Sequence, residues 1–353
     1  MSTPGQSLRQ HWPMPSQPRP IVVIGTGGIV KDAHLPAYRK AGFAVAGLYD
    51  QDRARAEALA GEWGIETVFD TLEQAAAADA VFDVAAPPVA HVAILSALPE
   101  GAAVLLQKPM GLDLADASAI RDVCRARRLT ASVNFQLRYS AMMLAVADAI
   151  ARGQLGELVE IEVHLNLVTP WHLFPHLIPN PRVEIVSHSI HYLDTIRALA
   201  GDPKGVFARS YAHPSSQLSD TRTTAILDYD APLRATLSIN HHHDFGRRFQ
   251  DASFRIEGSE GAMMVKLGLL LDYPTGEPDE LWFARRGGPW EQVPLDGAWF
   301  PDAFIGPMAN LQRFAAGEDD RLATAVEDGW KTMALVEACY RAAAQPAFPI
   351  PTE

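Results

Sequence analysis

The sequence predicts two domains of different architecture. The first is a doubly wound parallel α/β sheet, and the second an α+β domain with a large, mostly antiparallel sheet. Three observations predict this. Short apolar runs alternate with helical stretches from Ile21 to Phe135, which is the pattern of βαβ units. A glycine turn, Gly25-Thr26-Gly27-Gly28, follows the first apolar run. Beyond residue 135 the segments alternate apolar and polar side chains, as half-covered antiparallel strands do. A chain of 353 residues is also too long for one ordinary core.

Ile21–Ile24 has the β-branched character of a fully buried strand. A helix carrying Leu35, Ala37 and Tyr38 follows the glycines, then a strand over Phe43–Tyr49 that ends at Asp50. Asp52–Trp63 reads as helix, Glu66–Phe69 as a short strand, and Thr71–Ala78 as an Ala-rich helix capped by Thr71 or Asp70. Val81–Ala86 is a strand stopped by Pro87-Pro88, and Val89–Ala97 a helix. Ala102–Leu106 is a strand running into Gln107-Lys108-Pro109, Leu114–Arg127 a helix and Thr130–Phe135 a strand. In the second region Ala141–Ala151 and Val186–Leu199 are helical. Leu158–Leu167, Thr223–Tyr229, Arg234–Asn240, Ala252–Ile256 and Gly261–Lys266 are strands, and helices near Ala303–Ala315 and Ala325–Ala344 close the chain. The expected boundaries are a flexible leader or subunit-crossing arm over 1–19, a dinucleotide-type domain over 20–136, and a substrate and assembly domain over 137–353. The last helix is free to pack back on the first domain.

With 30 basic against 42 acidic residues and no basic run, the chain is a poor fit to nucleic acid or anionic membranes. Cys124 and Cys339 stand far apart, which excludes a disulfide scaffold and a thiolate zinc site. No stretch approaches a membrane span, and the first residues lack the apolar region of a secretory signal. A cytoplasmic address is expected.

Glycines after a first strand let the backbone approach a pyrophosphate, and the next helix start favours its charge. Gly25, Thr26, Gly27, Gly28 and Ile29 are therefore candidate cofactor contacts, although Val30 stands where the third glycine of G-x-G-x-x-G would fall. Asp50, at the end of the next strand, can accept both ribose hydroxyls and would repel a 2′-phosphate. Gln51 follows it, with Arg53 nearby, so the reading is NAD, with NADP possible. The plain alternative for Asp50 is a helix cap.

Lys108 ends a buried strand, where open α/β sheets bind their ligands, and Pro109 keeps it out of the helical region. The alternative is an ordinary surface lysine. Farther on, Ser187-His188-Ser189-Ile190-His191-Tyr192-Leu193-Asp194 places His191 on one helical face with Ser187 and Asp194. A histidine there is a natural base for a substrate hydroxyl.

Taken together, these motifs resemble the glucose–fructose oxidoreductase / inositol dehydrogenase / rhizopine-catabolism (Gfo/Idh/MocA) family, from Ile21 to the Pro-rich tail. The likeness is carried by the glycine turn, by Ala86-Pro87-Pro88 and His91, by Gln107-Lys108-Pro109, and by Asn134–Tyr139 with its Arg138. Ser187–His191 and Val326-Glu327-Asp328-Gly329 complete it. The resemblance implies hydride transfer between C4 of a nicotinamide and a carbinol carbon of a sugar, polyol or cyclitol. It makes Ala86, Pro87, His91 and Gln107 cofactor residues and gives Lys108 the reacting oxygen. It makes His191 the base, and implies homodimers or tetramers through the C-terminal sheet. Two positions depart from the family pattern: Gln107 replaces a glutamate, and Ser187 an aspartate.

Nine of the twelve histidines lie between His164 and His243. The sharp reading of His241-His242-His243 is a metal site, but strand alternation separates His242 from its neighbours, and no metal is expected. Trp171, His172, His176, Arg138 and Asn134, with Ser187 and His188, are the remaining candidate substrate contacts, since aromatic faces stack on sugar C–H surfaces. Two other functions fit the same motifs: a redox-neutral glycosidase or lyase using transient oxidation by bound NAD, and a silent sensor of dinucleotide and sugar.

Overall fold

The computed structural model describes residues 8–173, 177–273 and 275–351. In chain order the elements are β1 (Ile21–Ile24), α1 (Leu35–Ala41), β2 (Val45–Tyr49), α2 (Arg53–Trp63), α3 (Leu72–Ala76), β3 (Val81–Val84) and α4 (His91–Ala97). Then come β4 (Ala103–Leu106), α5 (Leu114–Ala126), β5 (Thr130–Val133), α6 (Ala141–Ala151), β6 (Leu158–Asn166) and α7 (Ile190–Ala200). They continue with β7 (Gly205–Tyr211), β8 (Arg222–Asp228), β9 (Arg234–Asn240), β10 (Asp251–Gly258) and β11 (Gly261–Lys266). The last are β12 (Glu280–Arg285), β13 (Glu291–Val293), α8 (Ile305–Ala315) and α9 (Val326–Ala343). Two compact units result. One takes in the chain up to Gly153 with Asp279–Leu281 and Glu291–Met333; the other takes Gln154–Pro278, Trp282–Trp290 and the chain from Ala334.

In the first unit β1 to β5 form a parallel sheet in the order β2-β1-β3-β4-β5. The chain leaves β1 toward β2 on one side and returns to β3 on the other, so the strand order reverses there. Ile24 pairs with Tyr49 and Val84, Val84 with Leu106, and Leu106 with Val133. Gly25, Ala85, Gln107 and Asn134 therefore continue the strands along one carboxyl edge. The strands hold because β1 and β4 are almost wholly inaccessible, and each large apolar side chain so buried contributes about 1.5–3 kcal/mol over exposure. The helices start where side chains satisfy their first amides: Asp52, Thr71, Asp113 and Ser140 accept from Arg55, Gln74, Asp116 and Met143 respectively.

The expected strand at 66–69 is reduced to a single bridge between Leu48 and Val68. Glu66 and Thr67 are exposed, so too little apolar surface backs the segment to extend a ladder. Residues 8–19, expected as a flexible leader, are instead tied along the first unit. Trp12 Nε1 donates to Asp319 at 2.8 Å, the Arg19 amide donates to Gln312, and Leu8 is buried. Polar composition was a poor guide there, because two apolar anchors and a row of backbone and side-chain hydrogen bonds suffice to dock the segment. The first unit also runs past 136, through α6, and takes back the chain through α8 and the start of α9.

An eight-stranded sheet runs in the order β13-β12-β11-β10-β6-β9-β8-β7, and its strands β6 to β11 lie wholly in the second unit. The β6–β9 pair is parallel, and the neighbouring β10–β6, β10–β11, β7–β8 and β8–β9 pairs are antiparallel. Ile161, Val163, Leu165, Leu237, Ile239, Phe254 and Ile256 turn to the covered face, where Tyr192 of α7 meets Phe254 edge to face at 5.8 Å between ring centroids. Phe207 and Ile226 sit opposite each other on the other, open face. Strands β7, β12 and β13 lie outside the segments assigned from the sequence. No helix of the described residues is long and apolar enough to cross a membrane.

Candidate functional site

The glycine turn is built for close approach. Gly25 has a φ of 98°, and a Cβ on it would lie 2.7 Å from the Ala86 amide nitrogen, so no other residue fits there. Nothing lies within 4 Å of the Cβ position of Gly27, which leaves open space beside the turn. Gly28 is exposed and Ile29 half-buried; the helix then opens with a π-type turn over Val30–His34.

Asp50 is where the sequence places it, at the end of β2, but its carboxylate has more to do than expected. The Thr26 amide and hydroxyl donate to Oδ2 at 2.7 and 2.8 Å, and the Asp52 amide and Arg55 guanidinium donate to Oδ1. Burial pushes this carboxyl up, but the bonds from Arg55, Asp52 and Thr26 together outweigh it and hold it below the usual range. Asp50 thus locks the glycine turn while staying anionic. Arg53 points elsewhere, to Glu57 and Asp70, and Gln51 is exposed. The arginine beside Asp50 is Arg55, two residues beyond the expected one.

At the end of β3, Ala86 is half-buried and Pro87 exposed. His91 is fully buried and donates from Nε2 to the Ala86 carbonyl at 3.0 Å. It braces this loop from behind, a correction to its expected place as a cofactor contact. Burial lowers its pKa to about 4, the Ala86 bond opposing only in part.

At the end of β4, Gln107 is buried and Lys108 half-buried. Burial pushes the Lys108 ammonium down to about 8, so its proton is exchangeable near neutral pH. Beyond β5, Asn134 is fully buried and Arg138 is committed to structure: it donates to Asp328 at 2.6 Å and to the Ala323 carbonyl at 3.2 Å. That pair ties the Asn134–Tyr139 segment to the start of α9. Gly329 beside Asp328 lets α9 approach β5, since a Cβ there would stand 2.6 Å from Val133 Cγ2.

The second unit carries the histidine segment. A π-type turn over Ile185–Ser189 precedes α7, so the regular-helix spacing that put Ser187, His191 and Asp194 on one face does not apply across it. Ser187 and His188 are half-buried, and His191 and Asp194 are buried. Trp171 meets the His188 ring at 5.0 Å and the His241 ring at 5.4 Å, and the two imidazoles lie 4.9 Å apart. His172 is exposed, and His176 lies outside the described residues.

Sequence reasoning missed Glu184, and weighed His241 only within the His241–His243 run. Glu184 is fully buried; its Oε1 accepts from Ser189 Oγ at 2.7 Å and faces His241 Nε2 at 3.4 Å. Its Oε2 has no hydrogen-bond partner among the described residues. On the other side of the His241 ring, Nδ1 lies 2.7 Å from the Thr169 hydroxyl. Both residues had a signal. His241 continues the inward series Ala235, Leu237, Ile239 of β9, and Glu184 is an acidic residue three positions before Ser187. His242 instead stacks on His213 at 4.6 Å. No group of three or more His, Cys, Asp or Glu among the described residues could hold a metal ion.

Comparison with known proteins agrees with this geometry. The family described as an oxidoreductase family with an NAD-binding Rossmann fold matches residues 19–135, and the GFO/IDH/MocA C-terminal domain matches residues 143–264. A D-apiose dehydrogenase of Paraburkholderia graminis is 26% identical over 91% of this chain and 86% of its own length. An inositol 2-dehydrogenase of Rhizobium meliloti is 25% identical over 92% and 96%. Among solved structures, an oxidoreductase from Agrobacterium radiobacter in complex with NAD+, L-tartaric acid and magnesium superposes with a TM-score of 0.78 at 21% identity, covering 93% of this chain and 97% of that one. The open turn at Gly25–Gly28, the anchored Asp50 and the half-buried Lys108 on one sheet edge fit the dinucleotide that such a domain binds. The chain is a nicotinamide-dependent oxidoreductase of the Gfo/Idh/MocA family.

Proposed function

We propose that this enzyme moves a hydride between C4 of NAD and a carbinol carbon of a sugar, polyol or cyclitol, turning an aldose into a lactone or an alcohol into a ketone. The observation that carries this reading is the shared edge of Gly25 and Lys108: a cradle for the cofactor and a cation with a depressed pKa end strands of the same parallel sheet. Relatives named for apiose and inositol support the carbohydrate class.

Lys108 holds the reacting oxygen and stabilises alkoxide as the hydride leaves. His191 receives the hydroxyl proton, and Trp171 with His188 offers a ring surface for sugar C–H faces. Glu184 supplies the carboxylate that Ser187 cannot. Asp50, anionic and flanked by Gln51, favours NAD over NADP. Bound NAD supplies the hydride acceptor; every proton movement belongs to the protein. The open face of the large sheet, with Phe207 opposite Ile226, is the surface for self-association into a dimer or tetramer.

The test is a panel of aldoses, polyols and cyclitols with NAD and with NADP, followed by reduced-cofactor absorbance. Lys108→Met should lower turnover of the best substrate by at least about 10²-fold while leaving NAD affinity unchanged. Full activity in that variant would sink the assignment.

A further inference from the structure

A buried polar ladder lies under the end of β4. Asp83 occupies the middle of β3 between Phe82 and Val84, in the interior of the sheet. Asp83, His34, Tyr38 and Asn134 are all inaccessible, and Gln107 is nearly so. Tyr38 donates its hydroxyl to Asp83 Oδ2 at 2.7 Å, and His34 Nδ1 lies 2.6 Å from the same oxygen. On the other side of the ring, Gln107 Nε2 reaches His34 Nε2 at 3.3 Å and Asn134 Nδ2 reaches it at 3.5 Å. The Lys108 amide donates to Gln107 Oε1 at 2.9 Å.

One backbone group fixes the whole series. The Lys108 N–H can only donate, so the atom facing it is the Gln107 oxygen, and the Gln107 nitrogen faces His34. That nitrogen donates, so His34 Nε2 accepts and its proton sits on Nδ1, pointing at Asp83. A buried carboxylate is costly unless well paired, and Asp83 Oδ1 has no hydrogen-bond partner among the described residues. A core that needed only apolar packing at this position would not retain such a group.

We propose that Asp83 and His34 are positioning residues for Lys108. Asp83 holds the His34 tautomer, and that tautomer holds the Gln107 amide in the one orientation that leaves its oxygen for the Lys108 N–H. The ladder thereby sets where β4 delivers the ammonium. Asp83 itself touches neither substrate nor cofactor. The inference rests on the reading of Lys108 as the group that meets the reacting oxygen.

Two variants test it on the full-length enzyme. Asp83→Asn keeps the shape but removes the charge that selects the tautomer. Gln107→Met keeps the length and removes both bonds. Each should lower kcat and kcat/KM together by about tenfold or more, with KM within about twofold and, in Asp83→Asn, NAD affinity within about twofold, because transition-state positioning is lost. Long-range proton–nitrogen spectra of histidine-labelled enzyme should show His34 protonated on Nδ1 in the wild type and a mixture in Asp83→Asn. If Asp83→Asn does not fold, Gln107→Met decides. Wild-type kcat in a folded variant, a loss confined to KM or NAD affinity, or a wild-type His34 protonated on Nε2 would each overturn the proposal. Lys108→Met separates the two levels. Were it active, the reading of Lys108 would fail; were it dead while Gln107→Met turned over normally, only the ladder would.

Discussion

Glu184 and Lys108 show how burial converts ordinary side chains into chemical ones. Glu184 is enclosed with a serine hydroxyl and an imidazole on one oxygen. Glu184→Gln keeps the shape but removes the charge facing His241, and should cut kcat by about 10–10²-fold with NAD affinity unchanged. Steady-state kinetics with a thermal melt as control would check this, and unaltered kcat would return Glu184 to a structural role. Lys108 titrates near pH 8 because burial disfavours its ammonium. If the charged form holds the reacting oxygen, kcat falls as pH rises through about 8. Lys108→Arg, which stays charged, should be slower but lack that alkaline limb. A limb that survives in Lys108→Arg would belong to another group.

At the scale of elements, the site is made by loops that other residues hold still. The Ala86–Pro87 loop depends on His91, whose pKa falls to about 4 on burial. The sign follows from linkage: the unfolded histidine, with its ordinary value near 6.5, binds a proton before the folded one does. Stability is therefore full above about 6.5 and drops as pH falls toward 4, by about 3 kcal/mol for this one group. His91→Gln can still donate to the Ala86 carbonyl but does not titrate. Urea unfolding across that window should show a shallower loss in the variant, and parallel curves would contradict the assignment. Gly25→Ala should weaken NAD binding and lower stability by roughly 2 kcal/mol or more, since φ and the Ala86 contact both exclude a methyl group. An NAD titration would check the first effect.

The parallel sheet was legible because β1 and β4 are unbroken apolar runs spaced by helical stretches, and a run such as Ile21–Ile24 has few other places to go. The short strand at 66–69 misled for the opposite reason: Val68 packs against the core, but Glu66 and Thr67 are exposed and only one bridge, Leu48 to Val68, forms. The regular-helix geometry assigned to Ser187–Asp194 failed because the π-type turn over Ile185–Ser189 leaves no mark in hydrophobic spacing. Lys108 and the glycine turn could be read directly, since strand ends are fixed by chain order. Arg138 could not, because its partners Ala323 and Asp328 lie far away in sequence. The Asp83–His34 ladder was equally hidden, being assembled from four segments far apart in sequence, around His34, Asp83, Gln107 and Asn134.

For the molecule as a whole, the account predicts net redox chemistry at a carbinol carbon rather than transient oxidation or silent binding. Lys108, Gly25 and the histidine segment would each serve all three, so only the fate of the hydride separates them. The most direct measurement uses the best substrate of the panel carrying deuterium at the reacting carbon. The account predicts that the label appears at C4 of the reduced nicotinamide, one equivalent for each substrate oxidised, and that Lys108→Met abolishes the transfer. Label returned to the product, or lost to water with no reduced cofactor accumulating, would contradict it.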